Sequence, residues 1–286
     1  MKQVNSQSPA TERIDAHHHL WRYETEQYPW MSERMTVLRR DYLLNELISA
    51  TRASSITGTI VIQARQCIEE TEWLTEIAKG TDFIRGVVGW APLTDPGVAG
   101  LLEIFAGLPK VKGMRHVLHD EPDDGYMLRP DFNRGVSYLK NFDLAYDLLI
   151  FERHLPQSIE FVDRHPNQRF VLDHIGKPLI REKQVSPWRD RLYSLAQREN
   201  VYCKLSGMVT EANWATWNRE DLRIYWDVVF DAFGPSRIMF GSDWPVLTVA
   251  STYERWVRTV EDALSGLTAS ERECIFSRTA VEAYKL

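Results

Sequence analysis

The chain has few cysteines, and their positions exclude two kinds of protein. Cys67, Cys203 and Cys274 are the three cysteines among 286 residues, and they lie far apart without a CxxC pair. Zinc ribbons and disulfide-stapled domains need closely spaced or paired cysteines, and an odd number suits a reducing compartment better. We therefore expect a reduced, cytoplasmic protein.

Long apolar runs and long runs of one charge are also missing. No window of about 18 apolar residues occurs, and the polar start of the chain lacks the apolar segment of a secretory signal. The 34 basic and 40 acidic residues give a net charge of −6 and are well mixed along the chain. This pattern favours neither a membrane nor a nucleic acid as a partner.

What the chain does have is a repeated alternation of short apolar runs and longer amphipathic stretches. Strands are predicted over residues 13–17, 58–64, 84–90, 111–116, 144–150, 170–174, 201–206 and 238–242. Examples of the predicted helices between them are residues 42–53, 71–79, 155–164 and 188–199. Eight such units without a glycine-rich phosphate loop predict an α/β fold, a (β/α)8 TIM barrel. We predict a polar tail over residues 1–12 and a single barrel domain over 13–286.

Reactive side chains follow three of these strands at their carboxyl ends, where barrel enzymes carry their active sites. His17 and His19 end the first strand on one side, because side chains alternate along a strand. His174 ends the sixth strand, and Asp243 follows the eighth. Each alone has a structural explanation, such as a polar turn, a strand cap or a helix cap. Together they predict one catalytic cluster, because these strands converge only in a closed barrel.

Further side chains near the strand ends are predicted to contact a substrate. They are Trp30, Gln63, Trp90, Arg115 and Asp147. Arg115 would hold a carbonyl or hydroxyl oxygen, although an arginine paired with a structural carboxylate is the commoner case. Trp30 belongs to segment 20–41, which we predict to be a loop over the barrel mouth. Lys204 is assigned a hydrogen-bonding or structural role.

Five ordered segments resemble the amidohydrolase superfamily, in the branch with sugar lactonases and 2-pyrone-4,6-dicarboxylate lactonase. They are IDAHHHLW (14–21), FERHLP (151–156), LDHIGKP (172–178), CKLSG (203–207) and FGSDWP (240–245). The resemblance extends from residue 13 to 286. Within the branch, VIQAR (61–65), FER (151–153) and CKLSGMVTE (203–211) most resemble the L-fuconolactonases.

The resemblance implies hydrolysis of a sugar-acid lactone, L-fuconolactone or a related aldonolactone, to the aldonic acid in fucose catabolism. It implies that Asp243 activates water opposite His17, His19 and His174. Strand four ends without a bridging Lys or Glu and strand five without a His, so a two-metal centre is not expected. Two arrangements stay open: one divalent ion, zinc, held by some of these four residues, or a metal-free site in which the imidazoles and Arg115 polarise the carbonyl.

Several alternatives also stay open. One is another reaction of the superfamily, such as that of a zinc-dependent amidase or decarboxylase. A lactone isomerase and a catalytically silent sugar-acid binding protein are the others. The sequence leaves undecided the sugar stereochemistry, the lactone ring size and the choice between a monomer and a homo-oligomer.

Overall fold

Eight parallel strands form the centre of the protein in a computed structural model, which describes residues 12–286. The strands are β1 (Ile14–His18), β2 (Gly58–Ile62), β3 (Ile84–Gly89), β4 (Val111–Val117), β5 (Ala145–Leu149), β6 (Phe170–Leu172), β7 (Val201–Leu205) and β8 (Ile238–Phe240). Each pairs with its neighbours in sequence order. The predicted tail lies outside the described residues except for Glu12, which forms an ion pair with Arg85.

Helices connect successive strands and cover the outside of the sheet. They are α1 (Leu44–Thr51), α2 (Ile68–Lys79), α3 (Val98–Ala106), α4 (Pro130–Leu139), α5 (Leu155–Asp163), α6 (Trp188–Ala196), α7 (Met208–Glu211), α8 (Arg219–Phe233), α9 (Tyr253–Ala263), α10 (Ala269–Glu273) and α11 (Thr279–Tyr284). Within residues 12–286, no helix is both long enough and apolar enough to cross a membrane. The arrangement confirms the predicted TIM barrel.

The barrel closes where β8 meets β1. The backbone N–H of Asp243 donates to the carbonyl of His17 at 2.8 Å, and that of His19 donates to the carbonyl of Trp244 at 2.6 Å. Asp15 reinforces the junction, since its carboxylate accepts hydrogen bonds from the backbone and hydroxyl of Ser242. The first and last strand ends are thereby held side by side.

The amino-terminal end of the barrel is filled by the last helix. Ala280, Ala283 and Tyr284 of α11 join an apolar cluster with inward residues of the strands, such as Ile60 and Val171. Among the described residues these three side chains are at most 1% exposed, so the barrel interior is closed at this end. The carboxyl ends of the strands are therefore the place for a site.

Three strands end two residues earlier than the sequence predicts: β2 at Ile62, β6 at Leu172 and β8 at Phe240. Of these, β6 and β8 lead directly to His174 and Asp243. These two strands end there because of local backbone geometry: His174 has φ +53° and Asp243 has φ +59°. A residue in the left-handed region cannot continue a strand, and such strain is concentrated at functional sites.

Candidate active site

Three imidazoles and one carboxylate meet at the carboxyl end of the barrel. Nε2 of His17 lies 3.2 Å from Nε2 of His19. Oδ1 of Asp243 lies 3.7 Å from Nε2 of His17, 3.4 Å from that of His19 and 3.9 Å from that of His174. All four side chains are almost completely buried. The predicted cluster from strands one, six and eight is thus assembled.

The other ring nitrogen of each histidine faces a partner behind the cluster. Nδ1 of His19 lies 2.9 Å from the carbonyl oxygen of Ile62, and Nδ1 of His174 lies 2.9 Å from Oγ of Ser206. Nδ1 of His17 lies 3.3 Å from a carboxylate oxygen of Asp173. An acceptor at Nδ1 places the proton there and leaves the Nε2 lone pair directed into the cluster. The carbonyl acceptor orients His19 in this way by a hydrogen bond, and the Asp173 carboxylate, at ion-pair distance, favours the same Nδ1–H form of His17 by its charge.

Burial keeps these groups in the forms that such chemistry needs. Desolvation lowers the pKa of His17 well below its ordinary value and that of His174 to about 4, so both rings are neutral near pH 7. Burial alone would raise the pKa of Asp243, but the neighbouring imidazoles of His174 and His19 bring it below the ordinary aspartate value. Neutral imidazoles thus face an ionised carboxylate.

A tight turn after β6 carries His174 into the cluster. His174 and Ile175 both have left-handed backbone angles, and the indole N–H of Trp188 holds the turn by donating to the carbonyl of Ile175 at 2.8 Å. Gly207 packs directly against the ring: a methyl group there would lie 2.5 Å from Nδ1 of His174. The position of this imidazole therefore depends on a glycine at residue 207.

A cavity of about 670 Å³ opens above the cluster. His19, His174, Arg115 and Asp243 form its lower end, while Trp30 belongs to the upper wall. Further wall residues are Met35, Val117, Phe151, Trp214, Val246 and Val249. Such a cleft, mostly apolar with a few converging polar groups, is typical of small-molecule sites.

The structure separates the predicted substrate contacts into two groups. Trp30 and Arg115 lie on the cavity wall, and the predicted loop over residues 20–41 does supply Trp30. Gln63, Trp90 and Asp147 do not line the cavity, so their predicted contact with substrate is corrected. Gln63 accepts a hydrogen bond from Arg115 at 3.0 Å, and Trp90 donates to His116 at 3.3 Å. Asp147 is paired with Lys204 deeper in the barrel.

Two features of the site were missed in the sequence. Asp173 contacts His17 and pairs with Arg115 at 2.9 Å, although alternation along a strand would turn it away from its neighbour His174. His119 and Lys177 line the cavity from the connections after β4 and β6, and Glu211 lines it from the end of the short helix α7; no periodic pattern marks such positions. For Asp173, the available signal in the sequence was its position next to His174 at a strand end.

The cluster fits a single zinc ion. Zinc bonds imidazole nitrogens at about 2.0–2.1 Å, so tetrahedral ligand atoms lie about 3.3 Å apart. The measured separations of 3.2, 3.4 and 3.7 Å among Nε2 of His17, Nε2 of His19 and Oδ1 of Asp243 are close to this value. His17, Asp173 and His174 also lie close together, but Asp173 is already paired with Lys204 and Arg115. The first grouping is therefore the better metal site.

The barrel and these converging side chains define an amidohydrolase, and the chain belongs to this family: the family model described as amidohydrolase matches residues 14–286. The L-fucono-1,5-lactonase of Burkholderia multivorans is 42% identical over 96% of both chains. That of Burkholderia ambifaria is 33% identical, again over 96% of both chains. The family membership predicted from the sequence is confirmed.

A solved structure extends the likeness to three dimensions. A crystal structure of an amidohydrolase from Burkholderia multivorans with bound Zn superposes with a TM-score of 0.93 and 41% identity. The match covers 96% of this chain and 99% of that one. The closeness of the two barrels shows that the fold around the site is shared.

Proposed function

We propose that the protein hydrolyses a sugar-acid lactone, with L-fucono-1,5-lactone as the preferred substrate, and releases the open aldonic acid. The convergence of three imidazole nitrogens on Oδ1 of Asp243 at the base of the cavity carries this proposal. Two relatives of matching length named L-fucono-1,5-lactonase support the same reaction.

The charges on the cavity wall favour a neutral substrate over a dicarboxylate. Among the described residues, the cavity-lining arginines and lysine are all paired with carboxylates. Arg115 pairs with Asp173 at 2.9 Å, Lys177 with Glu211 at 3.3 Å, and Arg65 with Glu70 at 3.6 Å. A pyrone dicarboxylate would need unpaired cations, whereas a polyhydroxy lactone needs donors and acceptors together with apolar platforms.

Asp243 is the general base of the proposed reaction. Its carboxylate takes a proton from water as the water oxygen bonds to the lactone carbonyl carbon. When the tetrahedral intermediate collapses, the bond to the ring oxygen breaks and Asp243 returns the proton to that oxygen. The net reaction adds one water and leaves a hydroxy acid.

Arg115 stabilises the negative charge that develops on the carbonyl oxygen, and the imidazoles, whose Nε2 lone pairs face the site, would contribute through a metal ion that they hold. Arg115 is suited to this role because it lines the cavity and its Nη1 lies 3.5 Å from Nε2 of His17. We propose that a zinc ion is held by His17, His19 and Asp243, with His174 beside them; when bound, it would supply a Lewis acid for the same oxygen.

We expect the purified protein to contain one zinc ion per chain. His19→Gln removes one of the proposed ligand atoms and should lower the retained zinc by at least about tenfold, measured by atomic absorption after dialysis. His119→Gln is the matched control, because His119 lines the same cavity but is not part of the cluster. Equal zinc contents in the His19→Gln variant and the wild type would contradict the assignment.

The function itself is tested with fresh 1,4- and 1,5-lactones of L-fuconic, D-arabinonic, L-galactonic, L-rhamnonic and D-galactonic acid. We expect acid release far above the spontaneous rate, fastest with L-fucono-1,5-lactone. Lactone hydrolysis is followed with a pH indicator, with and without a chelator. Failure to accelerate the opening of any of these lactones would exclude the proposal.

The same assay separates the alternatives. Product NMR would reveal an isomerase as a second lactone in place of the acid. Thermal stabilisation by a lactone without turnover would identify a binding protein, and turnover of amides or aromatic acids alone would indicate another reaction of the family. The cytoplasmic location, the role in fucose catabolism and the oligomeric state remain predictions.

A further inference from the structure

A line of charged and polar side chains runs through the barrel interior below the site. The hydroxyl of Tyr284 donates to Asp147 at 2.8 Å, and Lys204 Nζ lies 2.5 Å from Asp147. The same ammonium lies 2.9 Å from Oδ1 of Asp173, and that oxygen lies 3.3 Å from Nδ1 of His17. These groups, here called the buried charge chain, connect the floor of the barrel to the candidate active site.

The buried charge chain is costly to remove from water. The proposed reaction does not use its lower members, Asp147, Lys204 and Tyr284. The side chains of Asp147, Lys204 and Asp173 are 0% exposed. Replacing a buried ion pair by apolar groups is often neutral or stabilising, so stability alone is a weak reason for such a pair. Its position under His17 provides a different reason.

Lys204 fixes the one oxygen that faces His17. Arg115 holds the other carboxylate oxygen of Asp173 at 2.9 Å, so each oxygen of the carboxylate has its own cationic partner. Lys204 is itself anchored by Asp147, which Tyr284 holds in turn. The two positive charges of Lys204 and Arg115 balance the two negative charges of Asp147 and Asp173.

We propose that Lys204 is a positioning residue: anchored by Asp147 and Tyr284, it keeps the Asp173 carboxylate against Nδ1 of His17, so that the Nε2 lone pair of His17 faces the site. Lys204 touches no reacting atom in this role. The inference rests on the proposed function only for its kinetic consequence, because the orientation of His17 and its zinc affinity can be measured without substrate.

The decisive variant is Lys204→Met combined with Asp147→Asn. It removes one charge of each sign, so the pair of Arg115 and Asp173 stays balanced while the anchor is lost. We expect the variant to fold and to bind zinc about 10- to 100-fold more weakly, measured in competition with a chromogenic chelator. We also expect kcat to fall by a larger factor than KM changes. Imidazole ¹⁵N shifts of the zinc-free protein should show that His17 no longer carries its proton solely on Nδ1.

Wild-type zinc affinity, ¹⁵N shifts and kcat in the folded double variant would overturn the inference. If the wild type did not hydrolyse lactones, the proposed function would be wrong. The zinc affinities and ¹⁵N shifts would then still decide whether Lys204 positions His17.

A milder pair of variants decides the matter if the double variant does not fold. Tyr284→Phe removes the hydroxyl at the lower end of the buried charge chain. Tyr202→Phe is its matched control, since Tyr202 lies in the same inner cluster and its hydroxyl also donates to a carboxylate, Glu282, at 2.8 Å. We expect about threefold weaker zinc binding in Tyr284→Phe and none of this loss in Tyr202→Phe. Equal behaviour of the two variants would overturn the inference.

Discussion

Replacing Asp243 with Asn should lower kcat by about 10,000-fold, the upper end of what a well-placed general base contributes. Asparagine keeps the shape of the side chain but cannot take the proton from water. It is also among the residues that best tolerate the left-handed backbone, and Asp243 has φ +59°. The loss of activity is therefore due to the missing carboxylate and not to a disturbed turn. Steady-state hydrolysis of L-fucono-1,5-lactone measures this loss.

Asp120→Asn is the matched control for this variant. Asp120 also lines the cavity, but its side chain is 58% exposed and it does not belong to the four-residue cluster. We expect its kcat to stay close to that of the wild type and both variants to unfold at nearly the wild-type temperature. Retention of more than about a tenth of the wild-type kcat by Asp243→Asn would remove Asp243 from the role of base.

Gly207→Ala should lower kcat/KM by about 100-fold or more through His174. The added methyl would lie 2.5 Å from Nδ1 and 2.6 Å from Cγ of that ring, closer than such atoms approach in proteins. The ring must move, and a shift of about 1 Å in a catalytic group can cost about 100-fold in rate. The variant should also unfold at a lower temperature, because alanine is strained at φ +64°.

Gly234→Ala separates backbone strain from the displaced ring. Gly234 has the same φ, +64°, with ψ 163°, a conformation at least as strained for alanine, yet a methyl group there meets no atom within 4 Å. We expect this control to lose stability while keeping kcat/KM, measured by thermal unfolding and by lactone hydrolysis. If both glycine variants kept full activity, the tight packing of Gly207 on His174 would have no catalytic consequence.

The fold was predictable because its signal is repeated along the whole chain. Each barrel strand is a short apolar run followed by an amphipathic helix, so errors at single positions did not change the count. The ends of β6 and β8 were not predictable in this way. Left-handed angles at His174 and Asp243 depend on contacts between distant segments, such as the bond from Trp188 to the turn after β6.

The site was predictable only as far as strand ends reveal it. His17, His19, His174 and Asp243 could be grouped because a closed barrel brings strand ends together. Asp147 shows the limit of this reasoning. It lies on β5 two residues before Leu149, and Leu149 is the residue of that strand that lines the cavity. Period-two alternation predicts which side faces inward but not the depth at which a side chain lies.

The closure of the barrel between β1 and β8 also bears on how the enzyme acquires its activity. His17 and His19 come from the first strand, and Asp243 follows the last. The reactive groups therefore lie on both sides of the junction between β1 and β8. Pairs so distant in sequence form late, because the loop entropy of almost the whole chain must first be overcome. Catalytic competence is thus a property of the completed ring, and no half of the barrel has an active site of its own.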